Sequence, residues 1–276
     1  MTDVLIPDTG DFDAWEKSHD VVLAVDWDGT CKDTMVPKWT RGFNWALTEI
    51  WPALKSHQDV IDATCYRVNM VDDTAGVQRF VALMIMMREW KTMGLPVPDL
   101  ERFFDAVETV ERTREKHGVA TYRKYQARFG YDDSPLRWSD RSDAIIAEST
   151  RDAEVFAKCR DVLEGVRDRA DLIVVSASKT EAVRDDLVND GFTHVFRALC
   201  AQDFLPKRET LEGLKRRYDR VLFVGDTKQD VAAAKSAGVP VYLVHVGDEA
   251  ASWARAERVF DRFINGDDDL DEIIHP

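Results

Sequence analysis

The stretch Val21-Val22-Leu23-Ala24-Val25-Asp26-Trp27-Asp28-Gly29-Thr30 decides how this chain reads. Its first five residues, β-branched and aliphatic, have the pattern of a strand buried on both faces, as in a parallel sheet. Two carboxylates follow at once, in a tight turn where Gly29 can take a backbone conformation closed to other residues. Ligands of open α/β sheets bind outside the carboxyl ends of the strands, so paired aspartates beside Gly29-Thr30 have the placement of a catalytic device.

Beyond this strand the pattern changes. From Lys38 to about Arg160 the chain has helical character. Trp39, Phe43, Ala46, Leu47, Ile50, Trp51 and Leu54 recur at three- and four-residue spacing, and Phe80 to Trp90 gives a second, more apolar helix. Further helices are expected over 99–115, 119–129 and 142–164. Strand-like runs resume at Leu172–Val175, Val221–Val224 and Val239–Val244, with His194-Val195-Phe196 as a shorter one. Helical patterns at 179–189, 207–217 and 229–237 separate them, an alternation that indicates a parallel sheet covered on both faces. A crossover between parallel strands needs about a dozen residues, yet the first one here runs from Val25 to Leu172. The expectation is an α/β core at 18–34 and 165–260, interrupted by a helical domain at 35–164 that hangs over the carboxyl ends of the strands. A polar lead-in over 1–17, packed by Phe12 and Trp15, and an acidic C-terminal tail over 261–276, loosely ordered at 267–272, flank it.

The chain has 276 residues, 45% hydrophobic and 32% charged, enough for a full core in a soluble protein. A net charge of -14 argues against a general nucleic-acid surface. No run approaches the ~20 apolar residues that span a bilayer, and the acidic N-terminus does not read as a signal peptide. Cys31, Cys65, Cys159 and Cys200 follow no metal or disulfide spacing, which reads as reduced thiols in a cytoplasmic protein. No sustained heptad demands association, leaving a monomer or a homodimer.

Each later strand leads into a residue that could serve the rim marked by Asp26 and Asp28. Ser176 follows Val175, with Ser178 as an alternative of similar chemistry; Lys207 opens a helical segment, with Lys179 and Arg208 as competitors. Asp226 sits at the tip of Val221–Val224, and Asp230 lies one helical turn on. Four clustered carboxylates cannot all stay ionised uncompensated. A divalent cation with hard oxygen ligands supplies the compensation, and Mg²⁺ fits best where phosphate also binds. The lack of a His/Cys cluster argues against zinc. Plainer readings stand beside these: Ser176 as a helix cap, Lys207 as a solvated helix start, Asp230 as a favourable first-turn charge. Cys31 has no histidine base in a suggestive position. Within 35–164, Met84, Met86 and Met87 read as core, and Trp39, Trp45, Trp51 and Trp90 as helix-packing anchors. Arg67, Asn69 and Arg79 are candidate substrate contacts there, with ordinary salt bridging as the alternative.

Asp26-Trp27-Asp28-Gly29-Thr30, Ser176, Lys207 and Gly225-Asp226-Thr227-Lys228-Gln229-Asp230 together resemble the four motifs of the haloacid dehalogenase superfamily, in their usual order. The resemblance covers residues 18–34 and 165–248. Cys31 stands where a large aliphatic residue is commoner, and Trp27 is bulky for its place, but neither removes a catalytic group. The resemblance implies an α/β fold: a Rossmann-like parallel sheet core covered by helices, with a separate inserted all-helical cap domain. It implies Asp26 as the nucleophile that becomes an aspartyl phosphate and Asp28 as the general acid and base. Ser176 and Lys207 would hold the phosphoryl oxygens. Mg²⁺ would be bound by the Asp26 carboxylate, the Asp28 main-chain carbonyl and Asp226, and Asp230 would orient a metal-bound water or Lys207. The activity implied is Mg²⁺-dependent hydrolysis of a small phosphorylated metabolite. A phosphomutase or phosphonate hydrolase would use the same core, and a non-catalytic phosphate-binding or interaction module is the alternative of a different class.

Overall fold

The computed structural model describes residues 4–115, 117–267 and 270–276. Val21–Val25 forms β1, buried along its whole length. The later strands are β2 (Asp171–Val175), β3 (Ala198–Cys200), β4 (Arg220–Gly225), β5 (Val241–Leu243) and β6 (Ile273–Ile274). Among the described residues they make one sheet in the order β3-β2-β1-β4-β5-β6. The first five strands are parallel and β6 closes the edge antiparallel to β5. The chain steps outward from β1 through β2 to β3, then returns to the opposite side of β1 with β4. The strand order therefore reverses between β1 and β4, the position at which such sheets bind ligands.

Alternate strand residues supply two separate cores. Leu23, Val25, Leu172, Val174, Leu222 and Val224 pack with the helices Cys159–Val166, Thr180–Asn189 and Glu249–Ile264. Val22, Ala24, Ile173, Val175, Val221 and Phe223 pack with Lys207–Arg217 and Lys228–Ala237. Burial on both faces is why these strands read as unbroken apolar runs rather than as alternation. The Rossmann-like α/β reading holds.

The chain divides into two compact units, Met1–Asp33 with Ala153–Pro276, and Thr34–Asp152. The second is helical, with its longer helices at Arg79–Thr92, Glu101–Thr113, Val119–Phe129 and Ser134–Ser149. Phe80, Trp90, Phe103, Tyr122 and Trp138 are fully or almost fully buried in its core, with Met86 and Met87 beside them. Gly42 lies in a π-helical turn, Lys38–Phe43, where a Cβ would fall 2.2 Å from Ile146 Cγ1. Trp39, Trp51 and Trp90 are buried as packing anchors, whereas Trp45 is 52% exposed, on the solvent face of its helix. Among the described residues no helix is long and apolar enough to cross a membrane.

Several local expectations need correction. Residues 142–164 are not one helix: Ser134–Ser149 ends in the helical unit, and Cys159–Val166 is separate. Cys159, Val162, Leu163 and Val166 all bury against the sheet, which draws that second helix into the α/β unit. His194-Val195-Phe196 forms a turn, and the strand comes later, at Ala198–Cys200. Val195 and Phe196 are apolar because they fill the core on the same side as Trp27. Among the described residues, the C-terminal segment 261–276 is seated on the α/β unit rather than loose. The last helix runs to Ile264, Leu270 and Ile273 are buried, and β6 pairs with β5; Asp268 and Asp269 lie outside the described residues. At the other end, Phe12 packs edge-on against Trp15 and Phe204, and Leu5 pairs with Ala198 alongside β3.

Removing residues 270–276 takes away two buried side chains, each worth about 1.5–3 kcal/mol, and uncovers the β5 edge. The truncated protein should unfold at a lower urea concentration by tryptophan fluorescence; an unchanged midpoint would contradict this seat for the C-terminus.

Candidate active site

β1 and β4 end side by side. The Asp26 N–H donates to the Val224 carbonyl at 2.9 Å, so the ladder runs one residue past β1 and sets Asp26 beside Gly225-Asp226. The chain then folds back on itself. The Cys31 N–H donates to the Trp27 carbonyl and the Gly29 N–H to the Lys32 carbonyl, both at 2.9 Å, around Gly29 at φ +74. After β4, Thr227 and Asp230 form a reciprocal cap on the helix Lys228–Ala237: the Thr227 hydroxyl accepts from the Asp230 N–H at 3.1 Å, and Asp230 Oδ2 accepts from the Thr227 N–H at 3.0 Å. A side chain at Gly225 would meet Asp230 Cβ and Cγ at 2.7 Å, so glycine there is what lets Asp230 lie against the strand tip.

Lys207, the first residue of its helix, reaches into this group. Its Nζ lies 2.7 Å from Asp26 Oδ2 and 2.5 Å from Asp230 Oδ1. Burial opposes the ammonium charge, but Asp230 and Asp26 outweigh it and raise the pKa of Lys207. Asp230 is fully buried, which works against its charge; Lys207 and the bonds from Thr227 prevail and hold it below the usual carboxylate range. Asp26 is pushed up to about 6 by burial, with Lys207 opposing and Asp230 adding to the rise. Asp226 is pushed well above the usual range, by burial and then by Asp230 and Asp26.

Around this centre, the Thr30 hydroxyl donates to Asp226 Oδ1 at 2.7 Å, and the Ser178 hydroxyl donates to Asp28 Oδ2. Ser176 follows β2, is buried, and accepts from the Ser178 N–H at 3.2 Å. Asp26, Asp28, Ser176, Lys207, Asp226 and Asp230 thus gather at the carboxyl ends of neighbouring strands. Of the competitors for Lys207, Arg208 pairs instead with Glu209 and Glu212. Ser178, an alternative to Ser176 in the sequence, holds Asp28 instead, while Thr30 and Thr227 gained no bonding role from sequence, although Thr227-x-x-Asp230 carries the signature of a helix-capping pair.

Oxygens of Asp26, Asp226 and Asp230 lie within 4.8 Å of one another. Both oxygens of Asp230 are already engaged, by Lys207 and by Thr227, which suits it to a supporting place behind Asp26 and Asp226. A buried all-oxygen donor set with excess negative charge fits Mg²⁺ rather than zinc. Cys31 donates its thiol to the Asp26 carbonyl at 3.3 Å; burial, then its neighbour Cys159, push that thiol well up, away from the reactive thiolate.

Arg67, Asn69 and Arg79 lie in the helical unit. Arg67 pairs with Asp72 and Glu89. Arg79 pairs with Asp143 at 2.6 Å and stacks over Phe43. Asn69 is buried and donates to the Cys65 carbonyl at 2.8 Å.

The chain belongs to the haloacid dehalogenase-like hydrolase family, whose model matches residues 106–244, half of the sequence. Ser176, Lys207, Asp226 and Asp230 fall within the match. Among solved structures, the chain is similar to a protein of Lactobacillus delbrueckii subsp. bulgaricus that is provisionally assigned as a phosphoglycolate phosphatase. The two are 18% identical over 91% of this chain and 100% of that one, with a TM-score of 0.55, a likeness of fold. A provisionally assigned β-phosphoglucomutase of Thermotoga maritima aligns at 17% identity over 89% and 99%, with a TM-score of 0.47. A haloacid dehalogenase-like family hydrolase of Xanthomonas campestris aligns at 11% over 96% and 99%, with a TM-score of 0.48. No curated protein matches.

The pKa of Asp26, raised to about 6, sets a sign for stability. Unfolded aspartate loses its proton near ~3.9, so from about pH 4 to about pH 6 the folded chain holds a proton that the unfolded chain has released. Ionising Asp26 in the metal-free protein therefore lowers stability as pH rises through that window. A Mg²⁺ ion at this carboxylate set would favour the ionised form and should stabilise by about 2.7 kcal/mol at a hundred times its Kd. The shift in Tm on adding Mg²⁺ should be larger near pH 7 than near pH 5 and should largely vanish in Asp226→Asn. Equal Tm with and without Mg²⁺ near pH 7 would sink the metal assignment.

Proposed function

We propose that the protein is a Mg²⁺-dependent phosphomonoester hydrolase that acts on a small phosphorylated metabolite through an aspartyl phosphate on Asp26. The observation that carries this reading is the Asp26 carboxylate itself, buried at the reversal point of the sheet and hydrogen-bonded by Lys207 at 2.7 Å.

In the first half-reaction an Asp26 oxygen attacks phosphorus and the ester P–O bond breaks. Asp28, two residues on, gives its proton to the departing alkoxide. In the second, Asp28 takes a proton from water, whose oxygen attacks phosphorus and frees Asp26 and inorganic phosphate. The Ser178 hydroxyl donates to one oxygen of Asp28 and so helps to hold that carboxyl beside Asp26. Ser176 and Lys207 hold the phosphoryl oxygens, with Lys207 fixed for that task by Asp230. Mg²⁺, held by the Asp26 and Asp226 carboxylates and the Asp28 main-chain carbonyl, would neutralise charge on the phosphoryl group when bound. Four buried cysteines, all free thiols, support a reducing, cytoplasmic setting for such an enzyme.

A panel of phosphate monoesters assayed with Mg²⁺ should release inorganic phosphate. Asp26→Asn should reduce release to background and abolish trapping by beryllofluoride, whereas Asp28→Asn should lose about 10²–10⁴-fold in kcat. Wild-type rates in Asp26→Asn would overturn the nucleophile.

A further inference from the structure

Lys32 closes the loop that Asp26 opens, and its side chain is only 2% exposed. Its ammonium lies 2.6 Å from Asp186 Oδ1 and 2.8 Å from Asp190 Oδ2. Those two carboxylates sit one turn apart at the C-terminal end of the helix Thr180–Asn189, an end that favours a cation. The second oxygen of Asp186 accepts from Trp27 Nε1–H at 3.3 Å. Trp27, whose peptide unit separates the two catalytic aspartates, also packs edge-on against Phe192 and Phe196, at ring-centroid distances of 5.2 and 6.2 Å.

One carboxylate thus ties together residues 27 and 32 of the same loop, while the Lys32 carbonyl accepts from the Gly29 N–H within it. At the other end of the segment 176–190, Ser178 grips Asp28. The loop is therefore fixed at two places to a single stretch of chain. A buried ion pair adds little stability over apolar side chains of the same volume. What it adds is direction, because charged hydrogen bonds hold their partners at a set distance and angle where apolar packing allows sliding.

We propose that Trp27, Lys32, Asp186 and Asp190 form a clamp that positions Asp26 and Asp28 for in-line attack and proton transfer. They are positioning residues, and the proposal rests on the phosphohydrolase reading above. Catalysis is sensitive to such placement, since a misplacement of about 1 Å can cost about a hundredfold in rate.

Two variants test it. Lys32→Met keeps most of the volume but leaves two half-buried carboxylates without their ammonium. Trp27→Phe keeps an aromatic ring against Phe192 and Phe196 but removes the N–H donor together with the second ring of the indole. With Mg²⁺ and saturating phosphate ester, Lys32→Met should lose about ten- to a hundredfold in kcat, and Trp27→Phe several-fold, with KM within about twofold of wild type. Adding Asp186→Asn to Lys32→Met relieves the charge imbalance, so Tm should recover while kcat stays low. A kcat that follows Tm back up, or an unchanged kcat per folded molecule in both single variants, would overturn the clamp. So would a loss confined to KM. Failure of the catalytic reading shows differently, as a wild-type protein no more active than Asp26→Asn. In that event amide hydrogen exchange over residues 27–32 still reads the clamp: it should quicken at least about tenfold in Lys32→Met at matched global stability, and an unchanged rate would overturn it.

Discussion

The Lys207 ammonium lies between Asp26 and Asp230, and it is the charge that lets two buried carboxylates persist beside a third, Asp226. Its effect is uneven. Asp230, with the Thr227 bonds in addition, is held firmly ionised, whereas Asp26 is raised to about 6 and Asp226 well above its usual range. One cation for three carboxylates leaves a deficit of positive charge at this rim, in surroundings that exclude water. A divalent ion would remove the deficit and turn an acidic rim into one that accepts an anion, and in the proposed reaction this is what would let a chain with a net charge of -14 bind a phosphate ester.

The sheet decides which side chains share that rim. Asp26 and Asp226 are far apart in sequence, yet β1 and β4 pair in parallel with Val25 opposite Val224, so Asp26 emerges level with Gly225 and Asp226 follows one residue on at the same rim. β2 lies on the other side of β1 with Val174 opposite Val25, which brings Ser176 to the same edge. Lys207 enters from the start of a helix under the opposite face. Topology alone thus assembles the set, and the local devices at Gly29, Gly225 and the Thr227–Asp230 cap only aim it.

Much of this was legible because it was local. The runs at β1, β2 and β4 are apolar without interruption, and no competing pattern disturbs them. The order of Asp26, Ser176, Lys207 and Asp226 along the chain marked the site before any contact was known. Three errors share a cause, which is that apolar residues declare burial but not the element that buries them. Val195 and Phe196 fill core space from a turn, Cys159–Val166 covers the sheet rather than extending the helical unit, and Leu270 and Ile273 anchor an end that its acidic neighbours made look loose. For Arg67 and Arg79 the alternative of salt bridging was already stated, and their ion pairs within the helical unit are of that kind. The Lys32 clamp was not legible, because a lysine reveals nothing about partners so far along the chain; the i, i+4 spacing of Asp186 and Asp190 was the available hint.

Trp27 shows how packing and chemistry meet in one residue. Successive side chains of extended backbone point to opposite sides, so a residue between two aspartates at a strand end must face away from them. Here that direction leads into the core shared with Phe192 and Phe196, and the indole is large enough to reach Asp186 beyond. A small residue would free the peptide between Asp26 and Asp28 to rotate, and an apolar one would anchor it without orientation. The bulk that looked like a departure from pattern gives this loop a foothold on the opposite side of the backbone from its carboxylates, where holding it does not obstruct the approach of substrate.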